Sequence, residues 1–327
     1  MRFLVIGLGS MGKRRIRCLK KLGYDQIYGF DNNVSRIREV NDLYKIKTYN
    51  NFQQSIRLSK PNIFIISTPP DKHYFYAKVA AKKKIDCFME ASVETFKNAL
   101  KLANFEKKNQ TMIIPSCTMK YFYAPKLISD LIKKKNIGKV LNFNYHVGQY
   151  LPDWHPWEDI KNFYVSKKKT GACREIVPFE LNWICGIFGF PQVINSYIGK
   201  ISKLKMSAKD IYHFTLKFPK NIIANITIEV LSRGAPTRYM TILGSKGKIY
   251  FNYEDKVIKL YSEHSIRKTF HINEGGKLYK GYVYSEKPYI NEMSDFIKAV
   301  LQKKRNLFPN NLFNDSRILR VLENIEK

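Results

Sequence analysis

The segment Arg2-Phe3-Leu4-Val5-Ile6 runs straight into Gly7-Leu8-Gly9-Ser10-Met11-Gly12, an apolar strand pattern followed at once by G-x-G-x-x-G. A glycine pattern of this kind constrains little by itself. Here a helix-forming stretch follows it, and Asp31 stands nineteen residues beyond Gly12, closing a second strand-like run, Gln26-Ile27-Tyr28-Gly29-Phe30. Strand, glycine turn, helix, strand and terminal acid at this spacing predict a βαβ unit that holds a dinucleotide. Gly7 allows the tight turn, Gly9 lets backbone approach a pyrophosphate, and Gly12 lets helix and strand pack closely. Leu8, Ser10 and Met11 complete the loop, and the helix it opens presents free N–H groups and a positive dipole end to phosphate oxygens. The Asp31 carboxylate suits the ribose hydroxyls of NAD and repels a 2′-phosphate, so NAD is expected rather than NADP. Arg36, close by in sequence, works against that preference.

Strand-like and helix-like segments keep alternating to about residue 115. A helix near Asn51–Leu58 precedes the apolar run Ile63-Phe64-Ile65-Ile66, which Thr68-Pro69-Pro70 stops. A helix over Asp71–Lys83, a strand over Ile85–Glu90, a helix over Glu94–Lys107 and the strand Met112-Ile113-Ile114 follow. This rhythm predicts a doubly wound parallel sheet whose ligands sit at the carboxyl ends of its strands. That places Thr68, Pro69 and Glu90 in candidate cofactor-facing loops.

After Tyr121 the pattern changes to a helix (Pro125–Lys135), a strand near Val140–Val147, a long aromatic loop and a helix over Phe179–Phe188. From Val193 to about His271 strand follows strand, which predicts a meandering antiparallel sheet. Helical stretches near Tyr289–Gln302 and Asp315–Ile325 close the chain. The expected fold class is α/β, with a dinucleotide-binding domain over residues 1–120 and an α+β domain over 121–327 that carries an open, mostly antiparallel sheet.

The 57 Lys and Arg against 27 Asp and Glu give a formal charge of +30, which raises the question of nucleic acid. The lysines are scattered or in short runs (Lys82–Lys84, Lys133–Lys135, Lys167–Lys169). The chain is also rich in Ile, Asn, Tyr and Phe, as coding from AT-rich DNA produces. No nucleic-acid-binding signature accompanies them, so no nucleic-acid partner is expected. The five cysteines show no CxxC spacing, which speaks against a disulfide framework or a zinc site and for a reducing cytoplasm. The apolar N-terminus is too short for a signal peptide. The longest uncharged stretch, Leu181–Gly199, is broken by glycines and Pro191, so no membrane span is expected.

Taken together, the Gly7–Gly12 loop, Ser67-Thr68-Pro69-Pro70-Asp71-Lys72-His73, Phe88-Met89-Glu90 and the sheet-rich second half resemble the glucose–fructose oxidoreductase/inositol dehydrogenase (Gfo/Idh/MocA) family over essentially the whole chain. The stretch Val147–Asp159, with Tyr150, Asp153, Trp154, His155 and Trp157, looks like the branch found among genes for surface-polysaccharide and nonulosonic-acid-type sugars. The resemblance implies a Rossmann domain, an open-faced substrate domain through which copies pair as a homo-oligomer, and NAD(P)-dependent oxidation or reduction of a carbon in a sugar or nucleotide sugar. It adds His73 and Glu90 to the cofactor set, and Tyr150, Asp153, Trp154 and Glu180 to the substrate set.

Two positions depart from the family pattern. Where the family carries Glu-Lys-Pro, this chain reads Glu90-Ala91-Ser92. Where it carries an acid and then a histidine four residues later, the chain has Glu175 and Phe179. An alcohol giving up a hydride also needs a base for its proton and a donor near its oxygen. Glu175 or His155 is the candidate base, and Arg174 the candidate group to polarise an oxygen or grip a phosphate. Glu175 is equally open to a role at the helix N-terminus, and His155 to packing among its aromatic neighbours. The two substitutions keep a second reading open, a non-redox NAD-binding protein of the same fold serving as assembly partner or sensor.

Overall fold

A computed structural model describes residues 1–91, 95–154, 159–161, 163–262 and 265–327. Two compact units emerge: residues 1–118 with 286–317, and residues 119–285 with 318–327. The expected boundary near residue 120 therefore separates only the first crossing of the chain, because residues 286–317 return to the first unit.

The first unit contains β1 (Phe3–Ile6), α1 (Ser10–Lys21), β2 (Ile27–Phe30), α2 (Val34–Tyr44), β3 (Lys47–Tyr49), α3 (Phe52–Ser59) and β4 (Ile63–Ile66). It continues with α4 (Pro70–Lys82), β5 (Asp86–Met89), α5 (Phe96–Asn109) and β6 (Ile113–Pro115). All six strands are parallel, in the order β3-β2-β1-β4-β5-β6. Strands covered on both faces must be apolar throughout, and every residue of β1 and β4 is buried. Strand order reverses between β1 and β4, so the crevice at the carboxyl ends of these strands is the switch point where such sheets bind ligands. Local capping supports the crossovers: Asn33 accepts from the Ser35 and Arg36 amides, Asn51 from Gln54, and Thr95 from Asn98.

The second unit contains α6 (Tyr123–Lys133), β7 (Val140–Gly148), α7 (Cys173–Phe188), β8 (Gln192–Gly199), β9 (Ile211–Phe218) and β10 (Ile222–Glu229). It goes on through β11 (Thr237–Gly244), β12 (Gly247–Asn252), β13 (Val257–Tyr261) and β14 (Ile266–His271). Its eight strands are ordered β14-β13-β12-β11-β7-β10-β9-β8. The sheet is mixed: β7 and β10 pair in parallel and every other neighbour is antiparallel. Residues on alternate positions face the helices, such as Phe143, Tyr145 and Val147 of β7 and Phe214 and Leu216 of β9. The opposite face carries a polar row in register, Thr215–Asn225–Asn144–Thr241, joined by Thr215 Oγ1 to Asn225 Oδ1 (2.9 Å) and Asn225 Nδ2 to Asn144 Oδ1 (3.1 Å).

Helix α8 (Lys287–Gln302) belongs to the first unit, and α9 (Leu312–Ile325) crosses from the first to the second at Arg317. Helix α7 starts six residues earlier than expected. Pro178 lies inside α7, where it removes one N–H donor. The residue before the helix, Ala172, is buried at φ 50, ψ −132, a backbone conformation that costs a non-glycine residue about 1–3 kcal/mol.

Candidate dinucleotide and substrate sites

In the first unit the glycine loop is built as its spacing requires. Gly7 has φ +91, and a Cβ there would lie 2.7 Å from the Ser67 carbonyl oxygen. A Cβ on Gly12 would stand inside the Gly7 carbonyl oxygen, so α1 packs on the loop only because that side chain is missing. Gly9 is different. Its φ −69, ψ −163 suits any residue, and the first atom a Cβ would meet is Arg36 Nη1 at 3.9 Å. Sterics inside the protein do not explain a glycine there, whereas close approach of a phosphate does. Gly9 is also the N-cap of α1, with no side-chain cap and no acid in the first turn, so the N-terminus is prepared for an anion.

Asp31 lies at the end of β2. Its Oδ2 accepts from the Leu8 N–H at 2.7 Å and its Oδ1 from the Asn33 N–H at 2.8 Å, so the acid braces the loop as well as facing it. The Leu8 side chain is buried and its amide is held by Asp31, which leaves Gly9, Ser10 and Met11 as the loop residues turned outward. At the end of β4, Thr68 Oγ1 is shielded from solvent and has no hydrogen-bond partner among the described residues. Pro69 caps α4. An orphaned hydroxyl, an open Gly9 and an uncapped helix at one switch point fit a dinucleotide. His73, expected to touch the cofactor, is buried, and its Nε2 lies 2.6 Å from the Thr68 carbonyl oxygen. A carbonyl only accepts, so Nε2 carries the proton and His73 supports the Thr68 loop from behind.

Glu90, just past β5, is gripped by Arg15 of α1 through Nε to Oε1 (2.6 Å) and Nη2 to Oε2 (2.9 Å). Arg15 Nη2 also reaches Glu292 Oε2 of α8 at 3.0 Å. Glu292 in turn accepts from the Ser116 hydroxyl, the Cys117 amide and the Thr118 hydroxyl at 2.8, 2.6 and 2.7 Å. Burial disfavours the Arg15 charge, but Glu90 and Glu292 outweigh it and raise its pKa. Neither Arg15 nor Glu292 carries a sequence motif; their pairing is 277 residues apart and invisible to spacing.

In the second unit, Arg174 and Glu175 lie in the first turn of α7. Arg174 Nε is 2.8 Å from Glu326 Oε1, and its Nη1 donates to the Lys169 carbonyl at 3.2 Å. Glu175 Oε1 accepts from the Tyr164 hydroxyl at 2.8 Å, a partner the sequence did not single out. Glu180 is corrected from a substrate residue to a structural one. It is completely buried, paired with Arg238, and accepts from Tyr145 (2.6 Å) and Trp183 Nε1 (2.9 Å), with no surface left for a ligand. Burial opposes the Arg238 charge, yet Glu180 and the Tyr284 and Tyr145 hydroxyls outweigh it and raise its pKa well above normal.

Tyr150 and the short 3-10 turn Leu151–Trp154 follow β7 and are tied to the end of β10 by Gln149 N–H to Glu229 O and Leu151 N–H to Val230 O, each 3.2 Å. Asp153 is exposed, and Trp154 Nε1 is shielded from solvent with no partner among the described residues. Arg233, exposed after β10, lays its guanidinium over the Tyr150 ring at 4.3 Å. Glu229 organises that loop, accepting from the Leu231 and Ser232 amides, the Ser232 hydroxyl and His146 Nε2. Burial alone would raise the Glu229 carboxyl, but these donors hold it below its ordinary value. His155 and Trp157 lie outside the described residues.

Among the described residues no group of three or more His, Cys, Asp or Glu could hold a metal ion, and no helix is long and apolar enough to cross a membrane. All five cysteines are buried, and none is joined in a disulfide among the described residues.

Two family models match the chain. Residues 1–116 match "oxidoreductase family, NAD-binding Rossmann fold" and residues 126–250 match "GFO/IDH/MocA C-terminal domain". The chain belongs to the Gfo/Idh/MocA family.

No curated protein matches it in sequence. Among solved structures of the same fold, an oxidoreductase from Agrobacterium radiobacter in complex with NAD+, L-tartaric acid and magnesium superposes with a TM-score of 0.84 at 10% identity, over 99% of this chain and 94% of that one. The WlbA dehydrogenase from Bordetella pertussis, in complex with NADH and UDP-GlcNAcA, gives 0.80 at 12% identity over 100% and 95%. Levoglucosan dehydrogenase, in complex with NADH and levoglucosan, gives 0.81 at 15% over 100% and 96%. Within this Gfo/Idh/MocA chain, Ala91 follows Glu90 directly after β5, and half-buried Phe179 stands one turn beyond Glu175 on α7.

Proposed function

We propose that this protein is an NAD-dependent oxidoreductase that moves a hydride between nicotinamide and a carbon of a sugar or nucleotide sugar, in surface-polysaccharide or nonulosonic-acid-type metabolism in the cytoplasm. The observation that carries the reading is Gly9: a residue with ordinary backbone angles and open space above it, at an uncapped helix N-terminus beside the Asp31 carboxylate. Gly9, Ser10 and Met11 would hold the pyrophosphate with help from Arg36, and Asp31 the ribose hydroxyls. NAD, when bound, supplies the hydride acceptor or donor, and the remaining work falls to this chain.

Arg15 holds the Glu90 carboxylate in one place beside the loops that would carry the cofactor. Glu175, hydrogen-bonded to Tyr164, is the group on α7 that can take the proton from a reacting hydroxyl, with His155 the other candidate. Arg233, pre-oriented on Tyr150, and the Trp154 N–H, without a partner among the described residues, favour a substrate bearing an anionic group, such as a nucleotide-linked sugar or a sugar acid. Copies of the chain would pair through the open sheet face, where Tyr197, Tyr239 and Leu243 are exposed at 57%, 41% and 40%.

Ala91 and Phe179 favour a second reading, in which the protein binds NAD without turning it over. A single-turnover experiment separates the two. The protein is mixed with stoichiometric NAD+ and a panel of nucleotide sugars, and absorbance at the reduced-nicotinamide band is followed in the wild type and Glu175→Gln. Reduction that Glu175→Gln slows by about 100-fold or more supports the enzyme. Binding of NAD and sugar with no reduction across the panel supports the non-redox protein.

A further inference from the structure

At the far end of α7 from Glu175 lies a cavity of about 650 Å³, within the size range of small-molecule sites. Five exposed lysines line it: Lys133 at the end of α6, Lys135 and Lys139 between α6 and β7, Lys220 between β9 and β10, and Lys246 between β11 and β12. No carboxylate lines it. Among the described residues none of the five ammonium groups has an ion-pair, hydrogen-bond or ring partner. The floor is apolar, formed by Val140, Ile187, Phe188 and Pro219.

These features reinforce one another. A cavity of this volume is about 10 Å across, comparable with the Debye length, so the fields of exposed lysines around it add within it. The α6–β7 connection and the β11–β12 turn are tied to each other rather than free to spread. The Ser245 N–H donates to the Lys139 carbonyl (2.9 Å), the Lys246 N–H to the Ile137 carbonyl (2.9 Å), and the Lys139 N–H to Ser245 Oγ (3.0 Å). Three separate connections thus bring like charges to a concave, partly apolar surface, which is the arrangement that concentrates a multiply charged anion. Lysine meets phosphate as a point charge and asks for no fixed geometry.

We propose that this cavity is a second anion site, taking a phosphate-bearing molecule of about nucleotide size whose apolar portion rests on Phe188 and Pro219. It is distinct from the α7 N-terminal site, since thirteen residues of helix between Glu175 and Phe188 span about 20 Å.

Lysine footprinting on the full-length protein, saturated with NADH so that the glycine loop is filled, tests this. The protein is acetylated briefly alone and with UDP, inorganic pyrophosphate, or vesicles of phosphatidylglycerol and phosphatidylcholine, and each lysine is quantified by mass spectrometry. The five lysines are expected to be protected together, at least fivefold, while exposed Lys97, Lys101 and Lys107 on α5 keep their reactivity. The double variant Lys139→Gln/Lys246→Gln loses the protection and still binds NADH. Protection by UDP or pyrophosphate assigns a free phosphate compound, and protection by vesicles alone assigns a lipid headgroup. No protection by any probe, or equal protection of the α5 lysines, overturns the proposal. NADH fluorescence in the same samples reports the glycine loop independently.

Discussion

Substituting Gly9 by alanine separates what the glycine loop does for folding from what it does for binding. At φ −69, ψ −163 an alanine is unstrained, and its Cβ meets nothing nearer than Arg36 Nη1 at 3.9 Å. Replacing glycine at such a position restricts the unfolded chain, so the protein should gain about 0.4–1 kcal/mol of stability. The melting temperature should rise by about 1–4 °C for a unit of this size. The same methyl group fills the space through which a pyrophosphate reaches the α1 N-terminus. Losing one charge-assisted hydrogen bond there costs about 1.5–3 kcal/mol, a weakening of about 10- to 150-fold. Thermal unfolding and NADH fluorescence titration give the two numbers, and Gly12→Ala is the contrasting variant. Its Cβ collides with the Gly7 carbonyl, so it should lose stability and binding together. Gly9→Ala that binds NADH within twofold of wild type, or that fails to fold, refutes the reasoning.

Arg15→Met leaves the Glu90 and Glu292 carboxylates without their shared cation and should cost about 3–5 kcal/mol at neutral pH in urea unfolding. A loss below about 1 kcal/mol would count against the network as a structural brace. Glu180→Gln should destabilise by a similar amount by stranding Arg238, whereas a substrate role would show as weaker substrate binding at unchanged stability. Glu229 has a depressed folded-state pKa, so its contribution is present above the unfolded carboxylate value of about 4.3 and is lost as pH falls through the folded one. Glu229→Gln should therefore flatten the acid limb of stability measured from pH 3 to 7, and an unchanged limb would count against that role. Arg233→Gln should raise KM for a phosphate-bearing substrate by about 10- to 100-fold with kcat nearly unchanged; equal effects on a neutral sugar would contradict an anion-binding role.

The first unit was readable from sequence because its signals are local. The run Phe3–Ile6, Gly7, Gly12 and Asp31 lie within one βαβ stretch, and each meets a backbone, burial or hydrogen-bonding requirement set by its near neighbours. What escaped notice was non-local. The Arg15–Glu90–Glu292 network joins α1, the end of β5 and α8, and the Glu180–Arg238 pair joins α7 and β11. Charge pairs of that kind have no period and no motif. Glu180 was misplaced for the same reason, since an acid on a helix looks alike in sequence whether it meets solvent, substrate or a buried arginine. The parallel pairing of β7 and β10 could not be seen because β8, β9 and α7 intervene in the chain, and strand patterns say which residues alternate but not which strands meet. The start of α7 at Cys173 was legible only through the match of Glu175 to a helix N-terminus, since the apolar pattern becomes continuous only after Pro178.

The most direct measurement is mass spectrometry of the small molecules released from freshly purified, gently handled protein before any ligand is added. The proposed function predicts NAD or NADH, accompanied by a sugar acid or nucleotide sugar where substrate is retained. No nicotinamide species, together with no binding of NADH on later addition, would contradict it.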